Sequence, residues 1–84
     1  MAHTISTLRR AQKELVDLPA GAYERIRDAI RALSEGPRPS GCRQLVGRDG
    51  WRIWVGDYRV IYEADGDRRT VTMLHIGHRR DAYL

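Results

Sequence analysis

The residues of this chain best suited to chemistry are its arginines. Fourteen of the 15 basic residues are arginine, and with 11 acidic residues the formal net charge is +4. From Arg38 onward nine arginines stand against six acids, so the second half carries most of the excess positive charge. A guanidinium binds phosphate with a planar fork and stacks on aromatic rings, which suits contact with nucleic acid. The alternative is a GC-rich coding sequence, because net charge by itself identifies partners weakly.

Some of these arginines fall in a predicted β-hairpin. Two runs of aromatic and β-branched residues, Trp51–Val55 and Tyr58–Tyr62, flank Gly56-Asp57, a typical two-residue hairpin loop. With that loop, residues directly opposite each other share a face of the sheet. The residues predicted to share an open, solvent-facing side are Arg52, Trp54 and Arg59. The apolar side, expected to meet the helices, consists of Trp51, Ile53, Val55, Tyr58, Val60 and Tyr62.

The first half supplies the elements that would cover this sheet. Thr4–Leu8 predicts a short first strand, and Thr7 is placed to cap a helix from about Leu8 to Asp17. A second helix begins near Pro19 or Ala20, with apolar residues at helical spacing. Glycines and prolines at 36–41 end the helical part, and after a turn at 65–67 the segment 70–76 predicts a further strand. The order predicts one α+β domain over residues 1–84: a short N-terminal strand, a helical hairpin and an antiparallel three- to four-stranded sheet.

Composition excludes several classes of protein. A 42% hydrophobic and 31% charged chain is typical of a globular domain. The single cysteine, Cys42, excludes an internal disulfide framework and a cysteine-based zinc site, and we expect it to be inert. The apolar runs are too short for a transmembrane helix or a signal peptide, so we expect a cytoplasmic protein. No trustworthy histidine–carboxylate spacing is present, so we predict no metal and no cofactor.

Two stretches resemble a known family. The segment Trp51–Glu63, WRIWVGDYRVIYE, resembles the central hairpin of RelE/ParE-type toxins of bacterial and archaeal toxin–antitoxin systems. The segment Ile76–Tyr83, IGHRRDAY, resembles their last strand and tail, and Leu45-Val46-Gly47 also fits in order. The resemblance covers nearly the whole chain and implies a compact α+β toxin neutralised by a cognate protein antitoxin. DNA binding would then belong to the antitoxin, and no membrane partner is implied.

The resemblance is nearer to the RelE branch, which cleaves mRNA in the decoding site of the ribosome. It implies that Arg59, Arg79 and Tyr83 match the catalytic arginines and tyrosine of that branch. Arg59 and Arg79 would stabilise the charge on the phosphate, and the chemistry makes Tyr83 and His78 the candidates to carry protons. Attack by the 2′-hydroxyl needs such charge stabilisation and proton transfer, and histidine, with an ordinary pKa of about 6.5, suits proton transfer near neutral pH. Arg52, Trp54 and Arg80 are the further residues expected to contact RNA.

The chain departs from the RelE pattern in one strand. Well-studied RelE toxins carry Lys-x-Lys where this chain has Arg52-Ile53-Trp54. Arg52 keeps the first charge, whereas Trp54 replaces the second with a surface on which a base can stack. No lysine remains near the site to act as the base, so the general base stays open between His78 and Tyr83. His75 is expected only to fill a strand position.

Two other functions remain open at this point. A ParE-like protein would poison DNA gyrase by binding and would cut no RNA. A decayed toxin would only bind its antitoxin.

Overall fold

The protein is described by a computed structural model over residues 2–47 and 49–80. Its elements in chain order are β1 (Thr4–Thr7), α1 (Arg9–Val16), α2 (Ala20–Glu35), β2 (Arg43–Gln44), β3 (Trp51–Val55), β4 (Tyr58–Asp65) and β5 (Thr70–His78). The strands form one five-stranded sheet in the order β1-β5-β4-β3-β2. The α+β class is therefore confirmed.

The sheet is larger and more mixed than predicted. β1 pairs with β5 in parallel, whereas the remaining strand pairs are antiparallel. Parallel pairing needs a long crossover, and here the helical hairpin and the meander lie between the two partners. β2 is only two residues long and carries no local pattern that distinguishes it from a loop.

The predicted cap of α1 is wrong. Thr7 stays in β1, where it pairs with Met73 of β5, and the residue before the helix is Leu8, which makes no side-chain cap. The Leu8 backbone N–H donates instead to the Met73 carbonyl at 3.1 Å. Thr7, which local preference would place at the start of the helix as its cap, is therefore part of the strand pairing between β1 and β5. α2 starts at Ala20, directly after Pro19, as predicted.

The hairpin register is confirmed. Trp54 lies opposite Arg59, and Val55 lies opposite Tyr58. Gly56 in the loop has φ +61, a left-handed conformation that glycine adopts without steric cost. Side chains on one side of the hairpin join the core cluster with the buried face of α2. The core cluster consists of Ala11, Ile26, Ile30, Leu33, Ile53, Val60, Tyr62, Val71, Met73 and Ile76.

A β-bulge interrupts the ladder between β4 and β5. Tyr62 pairs with Met73, but Ile61 pairs with His75, so Leu74 is an extra residue on β5. Before the bulge, the odd-numbered residues of β5 face the core, as Val71 and Met73 do. After it, Ile76 faces the core and His75 turns to the opposite side.

The chain between the helices and the hairpin is attached to the core through Tyr62. The hydroxyl of this fully buried side chain donates to the Pro37 carbonyl at 2.5 Å. Burial and the neighbouring Cys42 raise the pKa of Tyr62 above the ordinary tyrosine value. The guanidinium carbon of Arg38 lies 5.1 Å from the Trp51 ring centroid. These contacts hold the loop against β3 and β4.

In the part of the chain that the structure describes, no helix is long and apolar enough to cross a bilayer. No group of three or more metal-ligating side chains occurs among the same residues.

Candidate nucleic-acid interface

One side of the sheet turns away from the core cluster and collects the candidate residues in two rows. Strand pairing across β3, β4 and β5 sets Trp54, Arg59 and Gly77 side by side in the first row. The second row is Arg52, Ile61 and His75. We call this side, together with Arg79 at its end, the arginine face.

Arg59 is buried, which corrects the expectation that it lies open to solvent. It is only 5% exposed, and its Nε and Nη2 have no hydrogen-bond partner among the described residues. Neither Asp57 nor Glu63 pairs with it, although both are near it in sequence and carry the opposite charge. Buried donors without acceptors are costly. They are therefore suited to an anion that arrives from outside, such as a phosphate.

Arg79 lies at the end of the arginine face, beside the hairpin loop. Its backbone N–H donates to the Asp57 carbonyl at 2.7 Å, which extends the β4–β5 ladder by one residue. Its guanidinium Nη1 is 3.6 Å from Asp57 Oδ1, and both side chains are about two-thirds exposed. An exposed pair of this kind is weak. The Arg79 side chain can therefore exchange Asp57 for another anion.

A shallow depression lies next to Arg79. It has a volume of about 260 Å³ and is lined by Trp54, Gly56 and Arg79. Trp54 is 49% exposed, so much of its ring is available to a flat ligand. Arg52 is half-buried in the second row, and Arg80 is exposed in the turn after β5. The depression thus combines an aromatic surface with an exposed positive charge.

The structure does not bring His78 to this face. His78 lies opposite Tyr58, on the side that faces the helices. Their ring centroids are 5.1 Å apart, with an interplanar angle of 89°. His78 Nδ1 accepts the Arg80 backbone N–H at 3.1 Å, which engages that nitrogen in the turn. Tyr83, the other expected proton carrier, lies outside the described residues.

His75, expected only to fill a strand position, lies on the arginine face. Its Nδ1 is 2.8 Å from Oε2 of Glu14 on α1. A Cβ added to Gly77 would lie 2.9 Å from His75 Nε2, so the imidazole leans over Gly77 toward the first row. The bulge at Leu74 produces this placement. No local sequence pattern marks the bulge, and strict alternation would put His75 on the same side as Met73.

Comparison with known proteins identifies the family of the chain. A family model described as "ParE toxin of type II toxin-antitoxin system, parDE" matches residues 5–83. A Methanocaldococcus jannaschii protein named "Putative toxin RelE1" is 29% identical over an 87-residue alignment, which covers 99% of this chain and 97% of that protein. A chain in the archaeal RelE–RelB complex from Pyrococcus horikoshii is 26% identical with a TM-score of 0.81, over 98% of this chain and 100% of that one. The RelBE2 toxin–antitoxin complex from Mycobacterium tuberculosis contains a chain that is 25% identical with a TM-score of 0.79, over 94% of this chain and 100% of that one. The chain therefore belongs to the RelE/ParE superfamily of toxins of type II toxin–antitoxin systems.

Proposed function

We propose that this toxin is a ribosome-dependent endoribonuclease that cleaves mRNA in the decoding site. The observation that carries the proposal is the buried Arg59, whose Nε and Nη2 lack partners among the described residues, next to Trp54 and on the same face as Arg79. A cleaved phosphodiester needs cations where negative charge develops and a surface that holds the adjacent base. The arginine face supplies both.

The reaction that suits this face is attack by a 2′-hydroxyl on the adjacent phosphorus. The 2′-oxygen loses its proton and bonds to phosphorus, and the bond from phosphorus to the 5′-oxygen breaks in line with it. The products are a 2′,3′-cyclic phosphate and a 5′-hydroxyl. Arg59 and Arg79 bind the phosphate and offset its growing negative charge. Arg52 and Arg80 contact the backbone, and the Trp54 ring stacks on a base.

Two further residues belong to the C-terminal part of the chain. Tyr83 is a candidate proton carrier, although it lies in a part of the chain that the structure does not describe. His78 is engaged by Tyr58 and by the Arg80 N–H. We therefore propose that His78 acts on the reaction through the turn that presents Arg79 rather than by direct contact with the 2′-hydroxyl.

The shape of the face supports the proposed dependence on the ribosome. The depression beside Trp54 has about 260 Å³ and is open, whereas ordinary ligand pockets enclose roughly 300–1,000 Å³. Such a surface binds free RNA weakly and cannot by itself impose in-line geometry. A ribosome that already holds mRNA in a fixed conformation would supply the missing orientation. The site of action would then be the cytoplasm.

We also propose that a cognate protein antitoxin binds this chain. Similar chains occur in complexes described as RelE–RelB and RelBE2. Leu8, before α1, and Val16, at its end, are 47% and 71% exposed and offer apolar contacts to a partner helix. A formal charge of +4 favours an acidic partner and speeds association with it. DNA binding would belong to the antitoxin.

The test is primer extension on a ribosome stalled on a defined mRNA, with free mRNA as the control. We expect a break in the decoding-site codon only when the ribosome is present. Arg79→Ala with Tyr83→Phe should abolish the break and the growth arrest. Arg31→Ala removes an exposed arginine of α2 far from the face and should leave both unchanged. Full toxicity of the double variant would refute the nuclease proposal.

Inhibition of DNA gyrase is the second candidate, favoured by the match to the ParE family model. A gyrase poison needs a binding surface but no general base, so it would not need the expected base His78, which lies on the other side of the sheet. Trapping of cleaved DNA on purified gyrase separates the two functions. Trapped DNA without RNA breaks would support this candidate, and growth without arrest on overexpression would indicate a decayed toxin.

A further inference from the structure

A carboxylate–histidine pair borders the arginine face. Nδ1 of His75 lies 2.8 Å from Oε2 of Glu14, and the second carboxylate oxygen, Oε1, accepts the Ile76 backbone N–H at 2.9 Å. β1 pairs with β5 only as far as Met73, so α1 covers the rest of that strand edge. The side chains of His75 and Glu14 are 13% and 26% exposed. Glu14 is therefore fixed by a backbone contact as well as by the histidine.

This arrangement favours one tautomer of the imidazole. A lone pair on Nδ1 would face a carboxylate oxygen only 2.8 Å away, so the tautomer with its hydrogen on Nδ1 is favoured. The N–H does not point straight at the oxygen, so the contact is a short electrostatic one rather than an aligned hydrogen bond. In the neutral ring the lone pair is then on Nε2.

Nε2 is directed toward the row that contains Arg59. It lies 2.9 Å from the position that a Gly77 Cβ would occupy, and Gly77 is the residue paired with Arg59 across the ladder. A side chain at residue 77 would fill the space into which the imidazole leans. Glycine at this position therefore lets a proton acceptor approach the proposed phosphate site.

We propose that His75, oriented by Glu14, is the general base that removes the 2′-hydroxyl proton; this inference rests on the proposed nuclease function. The proton passes to Nε2, the 2′-oxygen bonds to phosphorus, and the 5′-oxygen leaves and takes a proton from water. Arg59 offsets the charge on the phosphate during this step. Glu14 is a positioning residue, because it holds the ring and stabilises the imidazolium that forms.

The other groups near this face are poorly suited to the role. Arginine stays protonated throughout the working pH range. Lys13 is exposed on α1, and the Tyr62 hydroxyl is committed to the Pro37 carbonyl on the opposite side of the sheet. The charged groups around His75 are Glu14 and Arg10 on α1, Arg59 on β4 and Arg52 on β3.

The test is the single-turnover cleavage rate on ribosome-bound mRNA, measured as a function of pH. A general base contributes about 10²–10⁴-fold, so His75→Gln should lower the rate by that order. The wild-type rate should rise with pH through the range in which histidine loses its proton, and this rise should be absent in the variant. A residue with only a structural role would not change the shape of the profile.

Glu14→Gln tests the orientation separately. Its carbonyl oxygen can still accept the Ile76 N–H, but its amide offers an N–H to Nδ1. An N–H facing Nδ1 favours the tautomer that carries its hydrogen on Nε2, which leaves no lone pair there to accept the 2′-hydroxyl proton. The cleavage rate should therefore fall, as it should in His75→Gln. Arg10→Ala is the matched control, because Arg10 Nε contacts Glu14 Oε2 at 3.4 Å without contacting His75. Its rate should match wild type.

The outcomes distinguish failure of the general base from failure of the nuclease function. If wild type cleaves the mRNA and His75→Gln cleaves it at a rate within threefold, with the same pH profile, His75 is not the general base. The nuclease function would be unaffected by that result. Absence of ribosome-dependent cleavage by wild type would overturn both. If His75→Gln loses its fold by circular dichroism, Gly77→Ala keeps the histidine but displaces its ring. An unchanged rate and profile in that variant would overturn the inference.

Discussion

Two buried polar side chains of β4, three residues apart, behave in opposite ways. Tyr62 is fully buried on the core side, and its hydroxyl donates to the Pro37 carbonyl. Arg59 is 5% exposed on the arginine face, and its Nε and Nη2 have no partner in the described chain. A satisfied buried group stabilises a fold, whereas an unsatisfied one costs free energy. The hydrogen bond of Tyr62 stabilises the fold, whereas the proposed function assigns the unpaired donors of Arg59 to a phosphate.

Of these two residues, Arg59 should have the larger effect when it is replaced. Arg59→Met removes the buried cation, and we expect a loss of about 10²–10³-fold in the cleavage rate, as for other groups that stabilise a developing negative charge. The melting temperature should stay the same or rise, because an apolar residue of similar length removes unpaired buried charge. Single-turnover cleavage and thermal unfolding measure the two quantities.

Arg59→Lys is the matched control for charge without the planar fork. It should fold and should recover only part of the rate, since an ammonium cannot bind a phosphate through two parallel N–H groups. A large drop in melting temperature for Arg59→Met would contradict the comparison. It would show that the guanidinium supports the fold.

Tyr62→Phe should give the converse result. The change removes one hydrogen bond and leaves the Pro37 carbonyl without its tyrosine donor, which costs about 1 kcal/mol. For a domain of this size that corresponds to a decrease of roughly 4–8 °C in melting temperature. The cleavage rate should be unchanged, because Tyr62 faces the core. A loss of cleavage with unchanged stability would reverse the roles assigned to the two residues.

The smallest effect concerns alkaline pH. Burial raises the pKa of Tyr62, so above the ordinary tyrosine value of about 10 the unfolded chain releases this proton while the folded chain retains it. The unfolded state then binds fewer protons, and the free energy of unfolding falls as pH rises. Urea titrations from pH 8 to 11 should show this fall in wild type and a smaller one in Tyr62→Phe. Equal slopes would contradict the burial argument.

The hairpin was predictable because its signals are local. The Gly56-Asp57 loop defines which residues lie opposite each other, and the period of two defines which ones share a side. Sequence spacing alone therefore suffices to place Arg52, Trp54 and Arg59 on one face. The order of helices and strands followed from similar short-range patterns, and so did the α+β class. The family could be named from the same stretch of chain.

The features that depend on distant contacts were not predictable. β1 pairs with β5 across more than sixty residues, and that ladder keeps Thr7 from capping α1. The burial of Arg59 could not be predicted either, because arginine is the commonest charged residue of the sequence and no local pattern separates a buried arginine from an exposed one. Local preference cannot anticipate which side chain a remote segment will cover.

The position of His75 shows the physical reason most directly. Alternation from Val71 and Met73 would turn His75 toward the core, but one extra residue in β5 reverses the sides of everything that follows it. Short-range sequence determines the composition of each strand and the turn that joins it to the next. The packing of β5 against β1, β4 and α1 determines where the β-bulge occurs. The position of the bulge then determines which histidine lies on the arginine face.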